Sequence, residues 1–200
     1  MISNETDAHS RHHLVSEHLA ALARAAATAE SLTPIVSGWA ERLAEVFAAG
    51  GRLLTCGNGG SASEAQHLTG ELVGRFRNDR QPLSAIALCA DSAATTAIMN
   101  DYGVEDVFAR QLRAHGRPGD VLVAFSTSGT SANVVAAAKA ALEIGVTVWA
   151  LTGPAPNPLA ALSDGAIPVD AATVATVQEI HLAVVHALCI ALDDALGVPA

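Results

Sequence analysis

His67 and Glu71 are four residues apart in GSASEAQHLTGELV, a stretch of helical character, so their side chains share one face a turn apart. Gln178, His181 and His186 lie in a second helical stretch, VQEIHLAVVH. Gln178 and His186 are separated by two turns plus about 80°, so both can point into one cleft. A carboxylate and imidazoles meeting across two helices can move protons on a bound substrate. His67, Glu71, Gln178 and His186 together can also hold a divalent metal. Spacing alone leaves a plainer reading open, in which His181 or His186 packs at a helix interface with one hydrogen bond.

A third group is chemically different. Residues 126–131 read STSGTS, with Ser126, Thr127, Ser128, Thr130 and Ser131 supplying five hydroxyls in six positions. The run lies between an apolar segment, residues 121–125, and an Ala-rich helical one, residues 132–142. Free backbone N–H groups at a helix start point at an anion, and hydroxyls add donors without charge. One such hydroxyl would be read as a helix cap; five point to phosphate. The run lacks the Lys-Ser/Thr ending of nucleotide-hydrolase loops, so a phosphorylated sugar suits it better than a nucleoside triphosphate.

The elements that must position these groups follow from periodicity. Residues 1–8 read as a frayed tail and 9–30 as a helix. Thr33-Pro34 starts a second helix, which Gly50-Gly51 ends. Strands are expected at 52–56, 83–88, 121–125, 146–151 and 166–169, with helices between them and a long closing helix from Thr173 to about Leu196. Asn100-Asp101-Tyr102-Gly103 reads as a turn that breaks a helix, and Pro154, Pro156 and Pro158 read as loop. Gly57-Asn58-Gly59-Gly60-Ser61 gives a tight turn after the first strand. Ser61 or Ser63 can cap the helix that follows, with Glu64 completing a capping box. Strand–helix alternation implies an α/β fold, a doubly wound and mostly parallel five-stranded sheet preceded by an N-terminal helical pair. Ligands of such sheets sit beyond the carboxyl ends of the strands at the switch in strand order, so both polar loops should face one crevice.

The bulk numbers exclude several classes. Of 200 residues, half are hydrophobic and 16% charged, which argues against disorder, and a net charge of −9 argues against nucleic-acid binding. Cys56, Cys89 and Cys189 form no CxxC pair, the N-terminus lacks a signal core, and no apolar run reads as a membrane span; a cytoplasmic protein is expected. His9, His12, His13 and His18 read as solvated rather than as a metal cluster.

GNGGSASEAQHLTGELVGRF, the NDYG turn, FSTSGTSAN and VQEIHLAVVH, in this order and spacing, resemble the sugar isomerase (SIS) domain family. Within it they resemble the phosphoheptose isomerases, which convert D-sedoheptulose 7-phosphate into D-glycero-D-manno-heptose 7-phosphate on the way to nucleotide-activated heptose. The resemblance covers nearly the whole chain and divides it into a helical, oligomerising extension (1–50) and a phosphosugar-binding domain (51–200). It implies a cytoplasmic homotetramer with active sites between subunits, a sugar-phosphate substrate and one zinc per subunit. It makes Glu71 and His186 the catalytic acid/base pair, and His67, Glu71, Gln178 and His186 the zinc positions. Ser126, Thr127, Ser128 and Ser131 match the phosphate loop. Asn58, Gly59, Gly60, Ser61, Glu71, Arg75, Asn100, Asp101 and Gln178 match the rest of the substrate site. His181 is not among the ligands carried over. Ala175 departs from the pattern, since well-known members carry Asp three residues before the Gln, and the loop at 153–158 is richer in proline. Two other readings stand beside the heptose isomerase. One is a non-catalytic regulator that binds a replication initiator or senses a phosphosugar; the other is an isomerase of a hexose or pentose phosphate.

Overall fold

The computed structural model describes the backbone of residues 3–199 and the side chains of residues 12–199. Two helices come first, α1 (Ser3–Ala29) and α2 (Thr33–Ala48), joined by a 3-10 turn at Glu30–Leu32. Strands and helices then alternate as β1 (Leu53–Cys56), α3 (Gly60–Val73), β2 (Ala85–Ala87), α4 (Ser92–Tyr102), α5 (Val107–His115), β3 (Val121–Ser126) and α6 (Ala132–Glu143). They are followed by β4 (Thr147–Thr152), α7 (Pro158–Leu162), β5 (Gly165–Pro168) and α8 (Val174–Ala195). The five strands are parallel, in the order β2-β1-β3-β4-β5. The order reverses between β1 and β3, which places a switch point where the sequence puts its two polar loops.

Every residue of β1 and β3 is buried, which explains why those strands read as continuous apolar runs rather than as alternation. One core layer, with Leu54, Leu122, Ala124 and Val148, packs on α5 and α6. The other, with Leu53, Val123, Phe125 and Leu151, packs on α2, α3 and α8. In that layer Trp39 of α2 stacks on Trp149 of β4, ring centroids 4.6 Å apart and planes within 4°. By length and composition α8 is apolar enough to cross a membrane, with a mean hydropathy of 1.6 over its best window. Here it is the helix on which α1, α2 and α3 pack. The sequence reading understated it because His181, Asp193 and Asp194 interrupt the run.

Several expectations need correction. The helix expected from residue 9 already begins at Ser3. Helix α4 continues through Asn100, Asp101 and Tyr102 and ends at Gly103, whose φ of +95° is what stops it. The proline-rich loop contains a short helix: Pro158 sits in its first turn, and Asn157 Oδ1 accepts from Ala160 N at 2.9 Å. The capping box does not form. Gly59 takes the N-cap position of α3 without a side-chain cap, and Glu64 turns inward. Among the N-terminal histidines, His13 pairs with Glu17 at 3.3 Å and His18 with Glu179 of α8 at 2.8 Å, whereas the side chain of His9 lies outside the described residues.

Candidate active site

The hydroxyl loop follows β3, the most central strand. Ser126 Oγ donates to Ser131 Oγ at 3.1 Å and accepts from Gly129 N at 3.1 Å, while Ser128 Oγ accepts from both Thr130 N and Thr130 Oγ1. Ser131 is the N-cap residue of α6, yet its hydroxyl makes no capping bond. It therefore serves the loop, and Val134 N bonds back to the Ser131 carbonyl at 3.0 Å, which leaves the N–H groups of Ala132 and Asn133 as those of the first turn without an intrahelical acceptor. Gly129 is required twice over: its φ is +63°, and a Cβ there would overlap the Asn157 side chain.

The glycine turn after β1 meets this loop through a reciprocal amide pair. Asn58 Nδ2 donates to Asn133 Oδ1 and Asn133 Nδ2 to Asn58 Oδ1, both at 2.9 Å. Gly59 has φ +55°, and a Cβ on Gly60 would lie 2.5 Å from Gln178 Nε2, so the Gln178 amide packs directly on the glycine at the start of α3. Ser61 is buried in the first turn of α3. A buried hydroxyl of β1, Thr55 Oγ1, donates to the Ala65 carbonyl at 3.0 Å and seats α3 on the sheet.

Along the α3–α8 contact the titratable groups converge. His67 Nε2 lies 2.9 Å from His186 Nε2 and 3.2 Å from Glu71 Oε1, and ligand atoms of all three residues fall within 4.8 Å of one another. His67 is exposed while Glu71 and His186 are half-buried, so the cluster opens to solvent on one side. His186 also packs on Phe76. Zinc ligated by two imidazoles at about 2.0–2.1 Å separates their nitrogens by roughly 3.3 Å in tetrahedral geometry. The gap here is close to that, and a carboxylate completes a donor set suited to zinc. The residues present fit such an ion.

His181 is fully buried, with Nε2 3.1 Å from the Thr152 carbonyl and Phe125 edge-on beside it. It is an interface histidine, in keeping with its exclusion from the ligand set. Glu64 approaches its Nδ1 at 3.6 Å. Arg75 lies just beyond α3, exposed, and donates to the Arg77 carbonyl; Asn100 and Asp101 are exposed in the last turn of α4 and bond to each other. Within one chain none of these three bonds to the cluster. Burial pushes the thiols up: Cys56 rises with help from Cys89, and Cys189 is pushed up to about 12, first by burial and then by Glu71 and Asp193. Neither buried thiol is a nucleophile at neutral pH.

Sequence reasoning missed Asn133, although its motif was singled out, because an Asn at the second helical position carries no signal of a partner 75 residues away. Arg80 and Asp193 were missed because nothing local in the sequence signals a pairing across 113 positions.

A model of the SIS domain matches residues 17–153. The phosphoheptose isomerase of Streptomyces coelicolor is 64% identical over 162 residues, 81% of this chain and 70% of its own length. That of Roseiflexus sp. is 48% identical over 81% of this chain and 82% of its own. Among solved structures, phosphoheptose isomerase GmhA from Neisseria gonorrhoeae superimposes with a TM-score of 0.85 at 42% identity, covering 92% of this chain and 98% of that one. The chain belongs to the SIS domain family, among the phosphoheptose isomerases. A phosphoheptose isomerase from Francisella tularensis, at TM-score 0.86 and 35% identity over 92% of this chain, shares the same α/β fold. Family membership makes this chain an aldose–ketose isomerase acting on a sugar phosphate, as the four motifs implied, and nothing in the fold favours a regulator in its place.

Proposed function

We propose that this chain interconverts D-sedoheptulose 7-phosphate and D-glycero-D-manno-heptose 7-phosphate, with Glu71 and His186 as its acid/base pair. The observation that carries this reading is the convergence of His67, Glu71 and His186 within 4.8 Å on two helices of a fold whose switch point holds a hydroxyl-rich anion loop. In the forward direction a proton leaves C1 of the open-chain ketose and returns at C2, while a hydroxyl proton passes from O1 to O2 through an enediol. Glu71 is suited to the carbon-bound proton and His186 to the oxygen-bound one. His67 touches both groups, so it holds the carboxylate and the imidazole in register. Ser126, Thr127, Ser128 and Ser131 bind the phosphate with the N–H groups at the start of α6. That remote contact supplies binding energy for orienting the reacting end. Asn58, Gly59, Gly60 and Ser61 present the first loop to the sugar.

His67, Glu71 and His186 would hold zinc; Gln178, the fourth ligand that the resemblance implies, has its amide against Gly60 at the start of α3 in this chain and would have to turn towards the cluster to join them. When bound, the ion polarises the sugar's carbonyl and hydroxyl oxygens. Arg75, Asn100 and Asp101, which stand apart from the cluster within one chain, are assigned to a site completed between subunits of a homotetramer. Supporting an assembly are Leu14, Val15 and Leu19, exposed along α1, and an apolar groove of about 350 Å³ between α2 and α8 lined by Leu32, Val36, Val184 and Ile190. Residues 1–50 act in this reading as the oligomerisation extension, and the location is cytoplasmic.

The test is aldose formation from sedoheptulose 7-phosphate by metal-stripped and zinc-restored protein. Turnover that returns with zinc is the expected result. Turnover without metal would remove zinc from the reading, and no turnover in either state from folded protein would remove the reaction.

A further inference from the structure

Arg80 lies in the segment between α3 and β2 and folds back beneath the end of α3. Its side chain is 5% exposed, and each of its three guanidinium nitrogens donates at least one hydrogen bond. Nε donates to Asp193 Oδ1 of α8 at 2.8 Å, Nη2 to the Glu71 carbonyl at 2.9 Å, and Nη1 to the carbonyls of Leu72 at 2.9 Å and Gln81 at 3.3 Å. The last carbonyls of a helix have no intrahelical donor. In α3 two of them are satisfied by one buried cation, and one of the two belongs to Glu71 itself. Asp193 follows His186 by seven residues, two turns onward and almost on the same helix face. Cys189, buried in the core layer under α8, lies between them in the chain.

Stability alone does not explain such a pair, because a buried ion pair is often matched by apolar residues of similar volume. Its distinctive property is geometric. A planar guanidinium fork reaches a carboxylate and three carbonyls at fixed angles, which an ammonium cannot do.

We propose that Arg80 and Asp193 are positioning residues: their clamp sets α3 against α8 and thereby holds His67 and Glu71 opposite His186. The proposal rests on the reading of that cluster as the acid/base and metal-binding site.

The test compares full-length wild type with Arg80→Lys, Asp193→Asn and the double variant Arg80→Met/Asp193→Leu, which leaves no unpaired buried charge. Three quantities are read: kcat and KM with sedoheptulose 7-phosphate, zinc affinity by competition with a chromophoric chelator, and melting temperature. Loss of a group that orients ligands typically costs about 10- to 100-fold in affinity or activity, and that is the fall expected in kcat and in zinc affinity. KM should stay within about threefold, since the phosphate loop is held by other elements. The double variant should fold and show the same split. A folded double variant with wild-type kcat and zinc affinity overturns the proposal. So does a double variant that cannot fold, because the pair is then structural. If wild type itself does not turn over the heptose, the functional reading fails, while the zinc-affinity contrast still decides the clamp.

Discussion

The hydroxyl loop and the acid/base cluster solve opposite problems. The loop, residues 126–131, carries no ionisable side chain; its donors are hydroxyls and backbone N–H groups, already bonded to one another and braced by Asn58–Asn133 and by Asn157. It is pre-shaped, and its affinity comes from many weak donors at fixed positions. The cluster is built from three ionisable side chains on two helices, with His67 and His186 119 positions apart in the chain, and it opens to solvent. Its geometry depends on packing between distant segments. In the proposed reading, binding is thus local in this chain and catalysis is long-range.

The sharpest way to break that contrast is to remove one side from each. Glu71→Gln and His186→Ala should lower kcat by about 10²- to 10⁴-fold, the scale of general acid–base catalysis, with KM changed little. Steady-state assays with sedoheptulose 7-phosphate check this; a loss confined to KM would show that the cluster binds rather than reacts. Gly129→Ala should act on the loop. The new Cβ meets Asn157 at a backbone conformation that disfavours it, at a cost of about 1–3 kcal/mol. Thermal melting should report the destabilisation, and KM should rise more than kcat falls. The finest test is a double-mutant cycle on Asn58→Ala and Asn133→Ala. Two neutral hydrogen bonds predict a coupling of roughly 1–2 kcal/mol in denaturant unfolding. A coupling near zero would mean that the two loops are held apart by the strands alone.

The same contrast explains what could be read in advance. The loop was legible because strand, hydroxyl run and helix start are contiguous, and β1, β3 and β4 were legible because parallel strands buried on both faces are unbroken apolar runs, whereas the edge strands β2 and β5 are only partly buried and were placed by strand–helix alternation. The cluster's members were visible as residue types at helical spacing, but spacing could not tell His186 from His181. The deciding fact is rotation about α8, which turns His181 under Thr152 and His186 towards His67. Glu64 misled because a capping box and an inward-facing acid have the same sequence. Tertiary packing against His181 decided between them. The continuation of α4 through Asn100 and Asp101 was hidden because Asn and Asp favour turns and helices tolerate them when a following Gly ends the run.

The stacked indoles of Trp39 and Trp149 have a consequence for spectroscopy. They are the chain's two tryptophans, one on the helical layer and one on the sheet. Two chromophores held parallel at van der Waals distance share their excited state. The protein's ultraviolet emission and near-ultraviolet dichroism are therefore a joint property of that seam. Helix α2 cannot leave the sheet without separating the rings, so the helical layer carries a built-in optical gauge.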